Sequence, residues 1–514
     1  MKTRNVLTVM AILFVFVTAT TWAAGQQGTN TSSADGPLEI KMTVRLFDQV
    51  PDMNNAYWKY YQEKTNTKLN VEWIPDGDYR TKLNLILSSN DLPEVLIANA
   101  TNDLNNPNFI RAVQGGAFWD LTPVLGDFSK YPNLRDKVAP DAWVTSRVLG
   151  RIYGLPQNVS RVQGGPIIRE DLVKKAGKQM PTTMDELLDV LEAVVKQNPR
   201  MIGMVSKQNV YTQSDGGFTA AFGGTENYYN AEGGLVFERL RPSHTKFVAW
   251  MREAYRRGIL SKEFAVMTPT QATEYFESGA AVMLINESFR WCYPFTKTLQ
   301  EKVDPNAVAQ LVPPLEGEKG FWNAGAGVGW VDMMCISKKV PEAKMLRIMD
   351  YFEKTTTQEY YTLTTYGIEG VHYNKDANGY MVVTPQRDRD MGSSAPWQVL
   401  PLMYNPFQKL DSTAAPEAYN IAQRKLFTEL GFDNKGVYNP IGMITSPKWQ
   451  EVWPRFQQTF AQRCVQATTG EISMDDYQKY VDSINAESDV KTAYREFAEA
   501  YKALGLKSVR LTAQ

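Results

Sequence analysis

The sequence predicts an α/β protein with a helical C-terminal part, and two observations lead to this prediction. From about residue 37 onward, short apolar stretches of strand length alternate with longer stretches of helical periodicity. This alternation is typical of parallel-rich sheets that carry helices on their faces. Beyond about residue 415 the strand-like stretches give way to helical ones.

The first elements predict a β-α-β unit. Residues 40–47 and 69–74 are strand-like, and a helical stretch around Trp58 joins them. A helix over 79–87 and a short buried strand over 94–97 continue the alternation.

Later elements are marked by their boundaries as well as by their periodicity. Thr183 and Glu186 form a capping box that predicts a helix, which Asn198-Pro199 ends. A strand over 331–336 and a helix over 342–352 follow.

Two helices are predicted in the C-terminal part, beginning at Ser446 and Ser473. Trp449 and Trp453 lie on one apolar stripe of the first of these helices, which predicts that both rings belong to a core. Pro454 lies early in the same helix, and we expect it to kink that helix.

Length and charge restrict the classes of protein that this chain can belong to. At about 150 residues per domain, 514 residues predict two to four units, and 43% hydrophobic content supports sizeable cores. The 55 basic and 56 acidic residues nearly cancel, so the chain lacks the charge expected of a nucleic-acid-binding protein.

The N-terminal segment predicts export. Two basic residues, an apolar run over 6–17 and a small-residue motif at 23–25 resemble a secretory signal peptide over residues 1–25. Residues 26–36 read as a flexible leader, and no cysteine lies near the cleavage site to carry a lipid anchor. We therefore expect a free periplasmic or secreted protein.

Metal, thiol and common catalytic signatures are missing from the sequence. The two histidines and the cysteines Cys292, Cys335 and Cys464 are too few and too scattered for the usual zinc sites or a disulfide framework. A single disulfide remains open, although buried thiols are the more frequent arrangement. No nucleophile elbow, zinc-protease motif or phosphate-binding loop occurs, so we expect no cofactor and no catalytic residues.

Five elements, in order along the chain, resemble extracellular solute-binding proteins of family 1, the sugar-capturing components of ATP-driven importers. They match the larger branch of that family, whose members have about 500 residues. The elements are SSNDLPEV at 88–95, GRIYGLP at 150–156, the run from 168 to 187, YFESGAAVM at 275–283 and YGIEGVHY at 366–373.

The resemblance implies a type II, maltose-binding-protein-like fold with two α/β lobes, a hinge and a ligand cleft between the lobes. Lobe one would comprise residues 37–160 plus 308–370, and lobe two 161–307 plus 371–514. It also implies a carbohydrate ligand, a membrane permease of an ABC importer as partner, and a monomer.

One departure from the family concerns calcium. Many members of the larger branch carry an Asp-rich calcium-binding loop after the helix that begins near residue 183. Residues 196–203 read KQNPRMIG here, without a carboxylate, so we expect no metal site.

Sugar recognition needs aromatic faces for stacking and planar polar side chains for hydroxyl groups. By the resemblance, residues 283–291 correspond to a ligand-contacting segment of lobe two, which makes Asn286, Phe289, Arg290 and Trp291 candidates. For the two aromatic side chains, a core position is the alternative.

Lobe-one candidates follow the predicted strands at the mouth of the cleft. They are Asp48 after the first strand, and Asn99, Thr101 and Asn102 after the strand over 94–97. Ordinary polar turns are the alternative.

Other candidates come from the expected hinge and from a lobe-two loop. Asn158 and Arg161 follow the GLP element, and Tyr211, Gln213 and Asp215 precede a Gly-Gly pair in the loop that reaches the ligand in relatives. A structural role is the alternative for each of them.

Trp322, Trp397 and Tyr404 complete the candidates, as stacking platforms for a sugar ring. Simple packing is their alternative.

The predicted function is that of a receptor that binds a carbohydrate, in particular an oligosaccharide, and delivers it to a permease. Three alternatives stay open. In the first, the receptor binds a polyol, a peptide or a uronate-rich fragment, and Arg161 and Arg290 would suit the carboxylate of such a ligand. In the second, the protein is an exported carbohydrate-active enzyme with two carboxylates in its cleft. In the third, the receptor docks on a membrane sensor.

Overall fold

The computed structural model describes residues 36–99, 106–139, 142–215, 217–223, 228–321, 327–435, 444 and 446–504. The chain divides into Met1–Pro37 and one compact unit, Leu38–Gln514.

The strands of this unit, in chain order, are β1 Leu38–Leu46, β2 Thr67–Pro75, β3 Val95–Asn99, β4 Gly154–Asn158, β5 Gly165–Arg169, β6 Ile202–Ser206, β7 Ala281–Glu287, β8 Ala309–Leu311, β9 Glu316–Gly317, β10 Gly320–Phe321, β11 Trp330–Ile336, β12 Tyr373–Lys375 and β13 Met381–Val383.

The α-helices are α1 Ala56–Thr65, α2 Asp76–Ser89, α3 Pro107–Gln114, α4 Thr122–Leu125, α5 Pro132–Asp136, α6 Ala142–Thr145, α7 Glu170–Lys175, α8 Met184–Gln197, α9 Pro242–Arg256, α10 Pro269–Glu277, α11 Cys292–Lys302, α12 Glu342–Thr355, α13 Gln358–Tyr366, α14 Pro385–Met391, α15 Glu417–Glu429, α16 Phe432–Lys435, α17 Pro447–Thr469, α18 Met474–Ala486 and α19 Ser488–Leu504. Short 3-10 helices span Phe218–Phe222, Glu238–Leu240, Phe289–Trp291 and Ala395–Val399.

The first sheet has the strand order β2-β1-β3-β11-β4. Strand β1 pairs in parallel with β2 and β3, whereas β11 runs antiparallel to β3 and β4. The predicted β-α-β unit is therefore confirmed, and it forms one side of this sheet. The side chains of β3 and those of β1 from Met42 to Leu46 are buried because helices cover the sheet, as continuous apolar strands require.

The second sheet has the order β6-β7-β5-β8. Strands β6 and β7 are parallel, and β5 runs antiparallel to both β7 and β8. Helix α8 packs beside it, and its capping box at Thr183 and Glu186 is present as predicted.

Two connections join the sheets directly: residues 159–164 lead from β4 to β5, and the segment that contains β9 and β10 leads from β8 to β11. A third segment, 400–411, runs alongside the first connection. Asn158 N donates to Pro401 O at 2.9 Å, and Lys409 N donates to Ser160 Oγ at 3.3 Å. The predicted lobe boundaries stay a prediction. Strand β8, residues 309–311, falls in the predicted lobe one and pairs with β5 in the second sheet.

The C-terminal part is helical, as predicted, and packs on α9. Ser446 caps α17 by accepting from Trp449 N at 2.9 Å, and Ser473 caps α18 by accepting from Asp476 N at 3.0 Å. Pro454 lies inside α17. Within the described ranges, none of the helices has the length and apolar character needed to span a membrane.

Candidate ligand-binding site

A cleft of about 870 Å³ opens beyond the carboxyl ends of β1 and β7. This is where α/β sheets bind their ligands. Its walls come from four parts of the chain: residues 48–52, residues 290–294, helices α13 and α14, and the segment 392–414.

Four of the predicted ligand-binding residues line this cleft together: Asp48, Arg290, Trp291 and Trp397. Trp291 is 43% exposed, an unusual fraction for so large an apolar side chain. Trp397 is half-buried, and the Arg290 guanidinium carbon lies 5.7 Å from the centre of its ring. The cleft therefore offers two indole rings, one of them beneath a cation.

Backbone contacts fix Arg290 at the turn after β7. Its amide N donates to Lys409 O at 2.9 Å, whereas its guanidinium forms no hydrogen bond or ion pair with any described residue. Burial lowers the pKa of Arg290, and nearby Arg387 adds to this effect while Glu287 opposes it. A half-buried guanidinium without a counter-ion is available to an anionic group of a ligand.

Five aspartates also line the cleft: Asp48, Asp52, Asp388, Asp390 and Asp411. They outnumber the three lining arginines, and each of them accepts at least one hydrogen bond from the protein itself. Asp411 accepts two hydrogen bonds from Arg424 at 2.8 and 2.6 Å, and Asp388 accepts one from Arg387 at 2.8 Å. Burial raises the pKa of Asp411. The cleft therefore holds charges of both signs, and the guanidinium of Arg290 lacks a carboxylate partner among the described residues.

Asp48 holds the opposite wall together. Its carboxylate accepts from Ser393 N, from Ser393 Oγ at 2.8 Å, and from Ser394 N and Oγ at 3.1 and 3.2 Å. A Cβ atom at Gly392, whose φ is +61°, would lie 2.6 Å from the Asp48 carboxylate. Asp48 thus has the structural role in a polar turn that was its alternative, and it also lines the cleft.

Asp390 is positioned by a buried histidine. His372 Nδ1 accepts from Ile368 N at 3.0 Å, which leaves Nε2 to donate to Asp390 Oδ2 at 3.1 Å. Gly367 permits this arrangement, since a Cβ atom there would lie 2.5 Å from His372 Cβ. The YGIEGVHY stretch at 366–373 therefore builds the support of one carboxylate in the cleft.

Candidates near the first sheet turn out to be buried and bonded within the protein. Asn99 Nδ2 donates to Asp332 Oδ1 at 3.0 Å. Asn158 is 2% exposed, accepts from Ala139 N at 2.9 Å and donates to Leu402 O at 2.7 Å. Arg161 is buried beside the connection 159–164. None of these three belongs to the described lining of the cleft.

The lobe-two loop candidates do not line this cleft either. Tyr211 is 1% exposed, and its hydroxyl lies 2.5 Å from Thr468 Oγ1 in α17, so it is a core residue. Gln213 Oε1 accepts from Asn209 N, and Asp215 accepts from Gly217 N and Thr219 N at the start of a 3-10 helix. These polar groups shape the loop.

Asn286 and Phe289 have structural contacts as well. Asn286, with a φ of +63°, donates to Ser206 Oγ and Ser214 O at 2.9 Å each and accepts from Ser214 Oγ at 2.8 Å. Phe289 is 2% exposed, which agrees with the core alternative. Tyr404 is half-buried outside the large cleft. Thr101, Asn102 and Trp322 lie outside the described residues.

Sequence reasoning missed most of the wall formed by residues 361–414. This wall includes Tyr361, Arg389, Gln408 and Ser412. The alternating run Arg387-Asp388-Arg389-Asp390 on α14 is the signal that could have pointed to it, since such charges on so short a helix are typical of a polar surface.

The described residues form neither a metal-ligand cluster nor a disulfide. Among the residues that the structure describes, no three His, Cys, Asp or Glu side chains cluster as a metal site would require. All three cysteines are free and buried. Burial raises the pKa of the Cys464 thiol to about 12.

The chain matches the bacterial extracellular solute-binding protein family over residues 50–358, more than half of its length. The chain belongs to this family. The predicted family membership is thereby confirmed, and the protein is an extracellular solute-binding protein.

Two curated relatives of this solute-binding protein come from Bacillus subtilis strain 168. The polygalacturonan/rhamnogalacturonan-binding protein YtcQ is 25% identical over 496 residues, 93% of this chain and 95% of the relative. Lipoprotein LipO is 25% identical over 358 residues, 67% of this chain and 69% of the relative.

Solved structures share the fold. The alginate-binding protein AlgQ2 without calcium has a TM-score of 0.61 at 18% identity, covering 91% of this chain and 98% of its own. An HMO-binding, ABC-transporter-associated solute-binding protein from Bifidobacterium longum infantis has a TM-score of 0.62 at 16% identity, covering 91% and 99%. The predicted type II periplasmic-binding-protein fold is confirmed by these likenesses.

Proposed function

We propose that this solute-binding protein is the receptor of an ABC importer, that it captures an oligosaccharide in the cleft and that it delivers the sugar to a membrane permease. The observation that carries the proposal is the pair of indole rings that line the cleft, the exposed Trp291 and the half-buried Trp397, beside the guanidinium of Arg290. Indole faces stack on the C–H surface of sugar rings, and guanidinium groups bond their oxygens.

The size of the cleft supports an oligosaccharide. At about 870 Å³ it falls in the upper part of the range for small-molecule sites, roughly 300–1,000 Å³. The names of relatives point in the same direction, since YtcQ, AlgQ2 and the Bifidobacterium protein are all named for carbohydrates or HMO.

We also propose that the protein captures its ligand when two lobes close around the connection 159–164 and the described residues 312–321. The segment 400–411 would then follow the same movement, because it is bonded to Asn158 and Ser160. Receptors of this kind close on a ligand by hinge motion.

For the location we propose export through the signal peptide over 1–25 and release as a free protein. The absence of cysteine near that segment supports a free protein, whereas the relative LipO is named a lipoprotein. Detergent partitioning of the protein made in a bacterial host tests this part: we expect it in the aqueous phase, and detergent-phase protein would contradict it.

A receptor leaves its ligand unchanged, and the bonding of the carboxylates supports this reading. A glycosidase needs one carboxyl group as acid and a second as base or nucleophile. In the cleft, Asp48, Asp390 and Asp411 are held by several hydrogen bonds from the protein itself.

The ligand that we favour within this proposal is an acidic oligosaccharide. Arg290 has no carboxylate partner among the described residues, and burial makes its uncompensated charge costly in the free protein. A uronate carboxylate would supply the missing counter-ion. The name of YtcQ, which contains polygalacturonan, supports this ligand class.

A thermal-shift and calorimetric screen of neutral and acidic oligosaccharides tests the proposed function. We expect the melting temperature to rise with an acidic oligosaccharide, and the sugar to be recovered intact by mass spectrometry. Trp291→Ala should weaken binding, whereas Tyr60→Ala, which removes a 39% exposed ring outside the cleft, should not. Cleavage of a glycan, or no binding of any oligosaccharide, would refute the proposal.

A further inference from the structure

A second, smaller cavity of about 300 Å³ lies next to the cleft. Its described lining is polar and comes from the start of β5, the ends of β6 and β7, and residue 409. The lining residues are Gln163, Gly164, Gly165, Gln208, Ser214, Asn286, Glu287, Ser288 and Lys409.

The two cavities lie on either side of one backbone junction. Lys409 O accepts from Arg290 N and from Ser288 Oγ, at 2.9 Å each. Gln408 and Arg290 line the large cleft, whereas Lys409 and Ser288 line the small cavity. A ligand that extends past this junction can therefore occupy both cavities.

Lys409 is the available cation of the small cavity. Its ammonium group makes no hydrogen bond or ion pair with a described residue. The carboxylate nearest in sequence to the junction, Glu287, is already paired: Lys207 Nζ lies 2.8 Å from Oε2, and Ser288 N donates to Oε1 at 2.8 Å. Lys409 thus lacks the counter-ion that Glu287 has.

Burial lowers the pKa of Lys409 to about 8, and the charges of Arg290 and Arg45 add to this effect while Glu287 opposes it. Arg45 is itself paired with Asp332 at 2.6 Å and with Asp76 at 3.0 Å, and Glu287 with Lys207. Two adjacent cations, Lys409 and Arg290, therefore remain without a carboxylate partner in the part of the chain that the structure describes. An anion bound between or beside them would remove a repulsion that the free protein carries.

We propose that the small cavity is a second anion-binding subsite, in which Lys409 binds one carboxylate of an acidic oligosaccharide while Arg290 binds another in the large cleft. This inference rests on the proposed function and narrows its ligand to sugars with at least two carboxylates. Gln163 and Gln208, whose side-chain amides bond to no described residue, would bind the neighbouring hydroxyl groups. Asn286 would not, because its amide is occupied by Ser206 and Ser214.

Titration calorimetry with galacturonate and trigalacturonate tests the subsite. We expect Lys409→Met to weaken trigalacturonate binding at least tenfold, whereas it changes galacturonate binding less than threefold. Lys409→Arg should restore most of the affinity, since it returns the charge. Lys130→Met, which removes an exposed charge outside both cavities, serves as the control and should bind like the parent protein.

A second readout separates a ligand contact from a structural role. At pH 8, where Lys409 is about half protonated, binding of a carboxylate should favour its charged form, so trigalacturonate binding should take up as much as about half a proton. This uptake is measured from the heats in buffers of different ionisation enthalpy, and it should vanish in Lys409→Met and in Lys409→Arg.

The outcomes distinguish this inference from the proposed function. If the parent protein binds neutral oligosaccharides and no acidic ones, the receptor stands and the subsite is refuted. Equal weakening of galacturonate and trigalacturonate by Lys409→Met, or unchanged trigalacturonate affinity, also refutes it. If the parent protein binds no oligosaccharide of either class, the proposed function itself fails.

Discussion

Two pairs of tryptophans have opposite environments in this protein. Trp449 and Trp453 of α17 stack on each other at 5.0 Å with an interplanar angle of 16°, and Phe237 packs against both. Trp291 and Trp397, by contrast, line the cleft and leave ring surface open to a ligand. The comparison teaches that the periodicity of the neighbouring residues, more than the residue type, decides what an aromatic side chain does.

The difference follows from local sequence. Trp449 and Trp453 are four residues apart on a helix, so one face carries both rings into the core. Trp291 and Trp397 lie in short 3-10 helices, Phe289–Trp291 and Ala395–Val399, which have no repeating apolar face. The rings of the first pair therefore stabilise the fold, and the second pair is free to bind.

The strongest test of this comparison is Trp449→Ala. Trp449 is 6% exposed and contacts Phe237, Tyr494 and Phe497, so its removal should lower the free energy of unfolding by about 3–5 kcal/mol. Urea denaturation followed by circular dichroism measures this loss. Ligand affinity of the folded fraction should stay at the parent value, and a loss below about 1 kcal/mol would contradict the core assignment.

A second test replaces His372, the buried support of the cleft wall. His372→Ala leaves Asp390 Oδ2 and Ile368 N without their partner, which should destabilise the fold by about 2–4 kcal/mol. His372→Gln retains a donor toward Asp390 and should recover part of that loss. Equal melting temperatures of His372→Ala and the parent protein would show that the pair does not hold the wall.

The core around Trp449 and Trp453 also contains a buried histidine, His244, and this predicts that the free energy of unfolding depends on pH. His244 is 3% exposed, lies 5.5 Å from Phe460, and has a pKa lowered to about 3 by burial and by Arg239. The unfolded chain protonates this imidazole near pH 6.5, whereas the folded state does so only near pH 3. Stability from this group is complete above about pH 6.5 and is lost as the pH falls.

Between pH 7 and pH 5 the loss from His244 amounts to about 2 kcal/mol. The measurement compares urea unfolding of the parent protein and His244→Leu at both pH values. We expect the variant to lose about 2 kcal/mol less than the parent protein on acidification. Parallel losses in the two proteins would mean that the imidazole is not buried in neutral form.

The smallest expected effect concerns the second pair. Trp291→Ala should change the free energy of unfolding by less than about 1 kcal/mol, since its ring is already 43% exposed. The same change should weaken oligosaccharide binding about tenfold, or about 1.4 kcal/mol, because a stacking surface is lost. Calorimetry and urea unfolding of one preparation measure both values. A large loss of stability with unchanged affinity would show that Trp291 is a core residue and not a ligand contact.

Sequence reasoning reached the fold wherever the determining contacts are local. The capping box at Thr183, the helix starts at Ser446 and Ser473, and the strands around Trp58 all depend on residues close in sequence, and the structure has them within a few residues of the predicted bounds. The pairing of β11 between β3 and β4 joins distant segments, and periodicity carries no information about such partners.

The residues of the site were harder to predict from the sequence, because their contacts also come from distant segments. Tyr211 is covered by Phe247, Phe264 and Thr468, residues far from it in sequence, so its loop position gave no sign of burial. Asp390 reaches the cleft because His372 and Asn55 hold α14, and again these contacts are distant along the chain. Trp291 and Arg290 were found because the resemblance supplied their place.

The outer strand of the first sheet, β2, pairs with β1 on one side only. Its exposed positions include Lys68 and Asn70, the charged Glu72 follows, and Pro75 ends the strand. A second copy that added a strand at this edge would have to dehydrate those charges, so the edge resists intermolecular pairing and aggregation. The monomer stays a prediction, and this edge strand is a structural feature that favours it.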